Sequence, residues 1–157
     1  MLKVFIVFLW ASILATGSTL NAIVIRVLDG DTIQVKIKEK KFEHVRLFGI
    51  DAPELSQVDG IASRQYLSDR IKHKTVNIVL HGTDHYGRLL GEIYDKNGEN
   101  INKEMIQFGL AWVYRRTNQK TSWLTLERNA KKNRIGLWRR QSQLPPWEYR
   151  KKNSRKN

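Results

Sequence analysis

The chain has 157 residues, 41% of them hydrophobic, which suffices for one domain with a real core and leaves too little for a second. Its 28 Lys and Arg against 15 Asp and Glu give a formal net charge of +13. That charge predicts attraction to polyanions, nucleic acid first and an anionic membrane or wall polymer second, the plain reading being solubility. The absence of cysteine excludes disulfides, thiolate nucleophiles and thiolate metal sites, so a metal here would need oxygen or imidazole ligands.

The N-terminus, "MLKVFIVFLWASILATGS", carries one Lys and an apolar run from Val4 to Ala15, followed by small residues. This predicts a signal peptide over residues 1–17, with Ala15-Thr16-Gly17 as a small-x-small cleavage site and a mature chain from near Ser18. Cleavage as late as Ala22 is the alternative. The run is shorter than the roughly 20 apolar residues that span a bilayer, although an uncleaved anchor is a further alternative. Export to the periplasm or the medium is therefore expected.

Ala22 to Leu28 is rich in β-branched residues, Thr32 to Ile37 alternates apolar with polar, and Asp29-Gly30-Asp31 between them has hairpin-turn chemistry. A third strand is predicted from Glu43 to Phe48, and "GIDAPEL", Gly49 to Leu55, reads as a loop. Residues 61–71 fit a helix, with Tyr66, Leu67 and Ile71 able to share a face. Thr75 to Leu80 and Leu89 to Tyr94 read as strands joined by "TDHYGR". A helix from about Asn102 to Phe108 precedes "GLAWVY", and a basic helix from Trp123 to Asn133 precedes Gly136. The domain is expected to span residues 18–138, with a basic tail over 139–157 that carries Pro145-Pro146 and is expected to be partly disordered. No internal repeat is present. Five strands, with a helix between the third and fourth and about three helices in all, match an α+β OB-fold, a small Greek-key barrel.

Topology alone does not establish function. Asp29, Asp31, Arg46, Asp51, Glu54 and Arg88 supply carboxylates and guanidiniums, the mixture that phosphodiester hydrolysis needs. A divalent ion on carboxylates polarises a phosphoryl oxygen, arginine forks hold the other oxygens, and a free carboxylate takes a proton from water. Each residue taken singly reads otherwise, Asp-Gly-Asp as a turn and a lone Arg as solvated surface.

The stretches "VLDGDTIQV", "VRLFGIDAPEL", "DHYGRLLGEIY", "NGENINKEMIQFGLAWVY" and "AKKNRIGLW" follow one another in the order seen in staphylococcal-nuclease-like, or thermonuclease, proteins. The chain resembles that family over about Ile23 to Trp138. The resemblance implies that Asp31 and Asp51 are side-chain ligands of a calcium ion and that the backbone carbonyl of Ala52 is a third. Calcium takes six to eight oxygens, so waters and a substrate phosphate would complete this thin shell. The family's best-known member has threonine where this chain has Ala52, a change that a backbone ligand tolerates.

By the same resemblance Arg46 and Arg88 match the two phosphate-binding arginines, and Glu54 matches the glutamate assigned as general base. The alternative for Glu54 is that it organises water around the ion. Asp29 reads as a turn residue. Tyr86, Trp112 and Tyr114 align with aromatic positions of the nucleotide pocket, where rings stack on bases. Core packing is the other reading for at least one of them. His85 lies beside the expected site and could touch phosphate, whereas His44, His73 and His81 lack zinc-ligand spacing.

The reading is a secreted calcium-dependent endonuclease acting on DNA and RNA with little sequence preference and leaving 3′-phosphate ends. It implies no stable protein partner and no lasting membrane contact, and a monomer is expected. The alternatives are a non-catalytic OB-fold nucleic-acid-binding protein and an envelope-anchored adhesion protein. The second leaves the carboxylate and arginine set unexplained.

Overall fold

The computed structural model describes residues 18–38, 41–117 and 120–154. The expected signal peptide, residues 1–17, lies outside the described residues. Five strands close into a barrel in the order β1 (Thr19–Val27), β2 (Thr32–Lys38), β3 (Lys41–Leu47), β6 (Leu89–Tyr94) and β5 (Thr75–Thr83). All neighbours are antiparallel except β3 and β6, whose parallel pairing of Val45 with Leu89 and Leu47 with Gly91 closes the cylinder. Closure removes the exposed sheet edges on which another chain could pair. The five-stranded OB-type barrel anticipated from the order of the strands is thus present.

Alternation within the strands decides what faces inward. Val24, Ile33, Val35, Val45, Ile78 and Ile93 are fully buried and fill the barrel, each such side chain contributing about 1.5–3 kcal/mol relative to exposure. Helix α1 (Gly60–Ile71) seals one end with Leu67 and Ile71. Helices α2 (Ile101–Gln107) and α3 (Thr121–Lys132) pack on one another through Met105, Ile106 and Trp123.

Three features differ from expectation. The segment read as a loop, Gly49 to Leu55, contains a short strand, β4 (Ile50–Asp51), because "AWV" offers its backbone a partner in β7 (Trp112–Val113), with Asp51 opposite Trp112. β1 begins at Thr19, and its first residues pair with β5 from Thr19 opposite Val79 to Ala22 opposite Val76. Cleavage after Gly17 leaves this strand whole, whereas cleavage at Ala22 removes its start. Finally, the tail holds a fourth α-helix, α4 (Pro146–Asn153). Among the described residues no helix is long and apolar enough to cross a membrane.

Candidate active site

A cleft of about 490 Å³ opens where the β1–β2 turn, the β3–β4 corner and the β5–β6 turn meet. Asp31 reaches it from the first of these. Asp29 Oδ1 accepts the N–H of Asp31 at 3.0 Å, a local turn bond that gives Asp29 its structural role. Gly30 is required by what lies across from it. A Cβ there would stand 2.6 Å from the Cβ of Ala52 and 2.8 Å from that of Ser63. Its absence lets the turn close on the segment after β4, where the N–H of Ala52 donates to Asp31 Oδ2 at 2.5 Å. The first turn is thereby fixed to the strand that carries Asp51.

Arg46 sits on β3 opposite Thr32 of β2, one residue from Asp31. Its Nη1 lies 2.6 Å from Asp31 Oδ2, and its Nη2 donates to Asp51 Oδ1 at 2.9 Å. The Nη1 contact is ionic without the alignment of a hydrogen bond, so this buried nitrogen has no aligned acceptor. Burial pushes the Asp31 carboxyl up to about 8, against the pull of Arg46 and with the charges of Asp29 and Asp51 adding to the rise. For Arg46 burial disfavours the charge, but Asp31 and Asp51 outweigh it and raise the guanidinium above its ordinary value.

Arg88 approaches from the β5–β6 turn. Asp84 Oδ1 accepts the N–H groups of Tyr86 and Arg88 at 2.9 and 3.0 Å, and Asp84 Oδ2 accepts from Arg88 Nε at 2.8 Å. The turn therefore folds around one carboxylate, which also holds the arginine head. Burial pushes the Asp84 carboxyl up, but these bonds outweigh it and hold it below its ordinary value. The Arg88 guanidinium lies 5.3 Å from the ring centre of Tyr86, within cation–π reach.

Glu54 lies part-exposed at the rim, its N–H donating to Gln57 Oε1 at 3.2 Å. Its Oε1 accepts from Arg150 Nη1 at 2.7 Å, and the same guanidinium takes Asp51 through Nη2 to Oδ2 at 2.8 Å and Nη1 to Oδ1 at 3.2 Å. Asp51 is thus held by two arginines, one five residues before it and one 99 residues after it. The carboxylates of Asp51 and Glu54 keep Arg150 charged well above the ordinary arginine range.

The cleft brings together Asp31, Arg46, Asp51, Ala52, Glu54 and Arg88. Its walls also include His85, Tyr86 and Tyr114. Tyr86 is exposed, with the His85 ring packed beside it, ring centres 3.9 Å apart, so the pair lies at the surface of the cleft. Trp112 is not in the cleft. It is 4% exposed and edge-on to Trp138 and Trp147 at 5.2 and 6.5 Å, which makes it a packing residue and not a stacking platform. Its backbone pairs with Asp51 of β4, and its indole is covered by Trp138 and Trp147. Arg150 and Asp84 were not singled out from sequence. The local signal for the first was Pro146 and Glu148, a proline and an acid in a helix's first turn, ahead of Tyr149 and Arg150.

The donor set suits a hard cation. Five carboxyl groups line the cleft against three guanidiniums, a formal excess of two negative charges, and apart from the His85 imidazole the available ligands are oxygens. Among the described residues no three carboxylates or imidazoles converge as a ready cage; the pair of Asp31 and Asp51 is spanned by Arg46. Such a pair would bind an ion with waters or phosphate completing the shell.

Residues 44–140 match the family described as staphylococcal nuclease homologue. The chain belongs to that family. It is 39% identical over 127 residues to an "Uncharacterized endonuclease" of Escherichia coli O157:H7, which covers 81% of this chain and 82% of the relative. It is 38% identical over 138 residues to a "Micrococcal nuclease" of Shigella flexneri, covering 82% and 79% of the two chains. A Haemophilus influenzae "Uncharacterized endonuclease" is 38% identical over 128 residues, 82% of this chain and 71% of that one. This staphylococcal nuclease homologue carries its cleft on the barrel between the β1–β2 turn and the β5–β6 turn. The family match begins at His44, so Asp31 lies before it and Arg150 beyond it.

Proposed function

We propose that the chain is a secreted, calcium-dependent nuclease that hydrolyses phosphodiester bonds of DNA and RNA with low sequence specificity. The observation that carries this reading is the convergence of two buried carboxylates, Asp31 and Asp51, on the fork of Arg46, in a cleft whose other walls hold Arg88 and Glu54. Carboxylates and guanidiniums in that ratio serve a reaction in which charge accumulates on phosphoryl oxygens.

Asp31, Asp51 and the Ala52 carbonyl would hold the calcium ion, which when bound polarises the phosphoryl oxygen and offsets its charge. Arg46 and Arg88, released from Asp51 and Asp84 toward substrate, donate paired hydrogen bonds to the remaining phosphate oxygens. Both are preorganised, since each already faces the cleft from a rigid strand end or turn. Glu54 takes a proton from a water at its carboxylate oxygen while that water attacks phosphorus in line. The bond to the 5′ oxygen breaks and that oxygen takes up a proton from solvent, leaving a 5′-hydroxyl and a 3′-phosphate, the outcome that the family resemblance implies. Tyr86 and Tyr114 offer rings to flanking bases, contacts that tolerate any sequence.

The test is digestion of single-stranded DNA, duplex DNA and RNA by purified protein, with calcium and then with chelator. Cleavage that chelator abolishes is expected. Absence of cleavage in every substrate, with salt-sensitive binding retained, would replace this reading by a non-catalytic binding module. N-terminal sequencing of the exported protein tests secretion, and recovery of Met1 in a membrane fraction would replace the signal by an anchor.

A further inference from the structure

We infer that Arg150 is a third phosphate-binding arginine of the cleft, supplied by the C-terminal helix, and that α4 is a wall of the substrate site. The inference rests on the nuclease reading for the identity of the ligand, a phosphodiester, and on the geometry of α4 for the identity of the residue.

Arg150 stands on Asp51 as Arg46 does. Arg46 donates to Oδ1 of that carboxylate, and Arg150 grips both Oδ1 and Oδ2 while also reaching Glu54. A guanidinium has five donors in a planar fork, and the three contacts of Arg150 leave others for phosphate oxygens. Its side chain is 46% exposed, against 16% for Arg46, so its head lies at the mouth of the cleft and turns toward substrate by side-chain rotation.

The placement of α4 does not depend on these ion pairs. Tyr149 Oη lies 3.0 Å from Ser56 Oγ and also donates to the Ser56 carbonyl at 3.3 Å. Gln57 Nε2 donates to the Leu144 carbonyl ahead of the helix. Trp147 lies against Trp112 and Tyr114, each with ring centres 6.5 Å apart, and Pro146 is buried. These contacts tie α4 to the loop that follows Glu54 and to Trp112 and Tyr114 at β7. The helix therefore presents Arg150 to the cleft, and Arg150 is not the latch that holds the helix. An inhibitory strap would have the opposite arrangement, secured mainly by the residue that blocks the site.

The experiment compares wild type with Arg150→Ala and Arg150→Lys in the full chain. The measurements are kcat and KM on single-stranded DNA with calcium, and equilibrium binding of a fluorescein-labelled single-stranded DNA octamer in chelator over a range of salt. Thermal unfolding of each variant reports folding independently. Arg150→Ala should weaken octamer binding by about tenfold and reduce the salt slope by roughly 0.7, the loss of one phosphate contact on a single strand. It should raise KM or lower kcat, and Lys should restore the salt slope but only part of the affinity, being a point charge without the fork. Unchanged binding and turnover, or faster cleavage by Arg150→Ala, would overturn the inference, the second outcome identifying α4 as a strap. If wild type cleaves and Arg150→Ala equals it, the inference alone fails. If wild type cleaves nothing, the nuclease reading fails, and octamer binding still decides: weakened by Arg150→Ala it supports the phosphate role, unchanged it overturns it.

Discussion

Replacing Asn102 by alanine should cost stability and activity together. The side chain is fully buried at the start of α2 and acts as a short extension of the sheet. Pairing of β3 with β6 ends at Leu47 and Gly91, and the next N–H on that edge of β6, that of Ile93, donates to Asn102 Oδ1 at 2.9 Å. Asn102 Nδ2 donates in turn to the carbonyls of Phe48 at 2.9 Å and Gly91 at 3.1 Å. The Gly91 carbonyl keeps a second donor, the N–H of Phe48 at 2.8 Å. Alanine therefore strands the Ile93 N–H and the Phe48 carbonyl. At about 1–3 kcal/mol for each buried group left unpaired, the expected loss is about 2–6 kcal/mol, a large part of a total that is typically about 5–15. Phe48 leads directly into the β4 segment that carries Asp51, so kcat should fall as well. Urea unfolding of Asn102→Ala measures the first effect, and Asn102→Asp should do no better, because it keeps one acceptor while setting a carboxylate against two carbonyls. A loss below about 1 kcal/mol would refute the view that this amide completes the barrel seam.

Arg46→Ala and Arg88→Ala should each lower kcat by about 10²–10³, as loss of one preorganised donor does, with folding retained by circular dichroism; near-normal turnover in both would reject their roles. Gly30→Val should separate the first turn from the Ala52 segment, costing about 1–3 kcal/mol and most of the activity, since its branched carbon meets Ala52 and Ser63; a variant as active and stable as wild type would contradict that packing. The Arg70 side chain, opposed by burial and helped by the N–H groups of Glu99 and Asn97, holds the Asp95 carboxyl below its ordinary value. A depressed carboxylate contributes stability that is fully present above the unfolded value near 3.8 and is lost as pH falls through the lower folded value. Wild type should therefore lose stability between pH 5 and 2 more steeply than Asp95→Asn in denaturant titrations, and equal slopes would reject the linkage.

Much of the barrel was legible because its signals are local. Alternation in Thr32 to Ile37 and the chemistry of Asp29-Gly30-Asp31 specify a hairpin regardless of what packs on it. The short strand β4 was not legible, since two residues carry no periodicity and become a strand only because "AWV" lies alongside. Trp112 shows the same limit: an aromatic next to a site segment is compatible with stacking or packing, and its burial by Trp138 and Trp147 is a tertiary fact. Arg150 was hidden for a different reason. A tail rich in lysine and arginine reads as solvated or as a non-specific phosphate contact, and what fixes it here is Tyr149 on Ser56 and Trp147 on Tyr114, contacts between residues far apart in the chain. The carboxylates and arginines at Asp31, Arg46, Asp51 and Arg88 were found through their combined order, not through any one of them.

The cleft and the surface divide the electrostatic work. The chain carries +13 overall, yet the cleft holds five carboxyl groups against three guanidiniums, and Arg46, Arg88 and Arg150 are all engaged by carboxylates. Burial opposes the charge of Asp31, yet even a neutral Asp31 would lower the local excess only from two negative charges to one, without a change of sign. Long-range attraction to a nucleic acid must then come from lysines and arginines outside the cleft, through a field that salt screens over about 10 Å at 0.1 M. A phosphate arriving at the mouth meets a site that is slightly acidic until a cation neutralises Asp31 and Asp51. Charge introduced there also frees the guanidiniums that these carboxylates hold. On the proposed reading calcium and phosphate would bind with mutual reinforcement, the ion releasing the donors that the phosphate needs and the phosphate completing the shell that two carboxylates leave open.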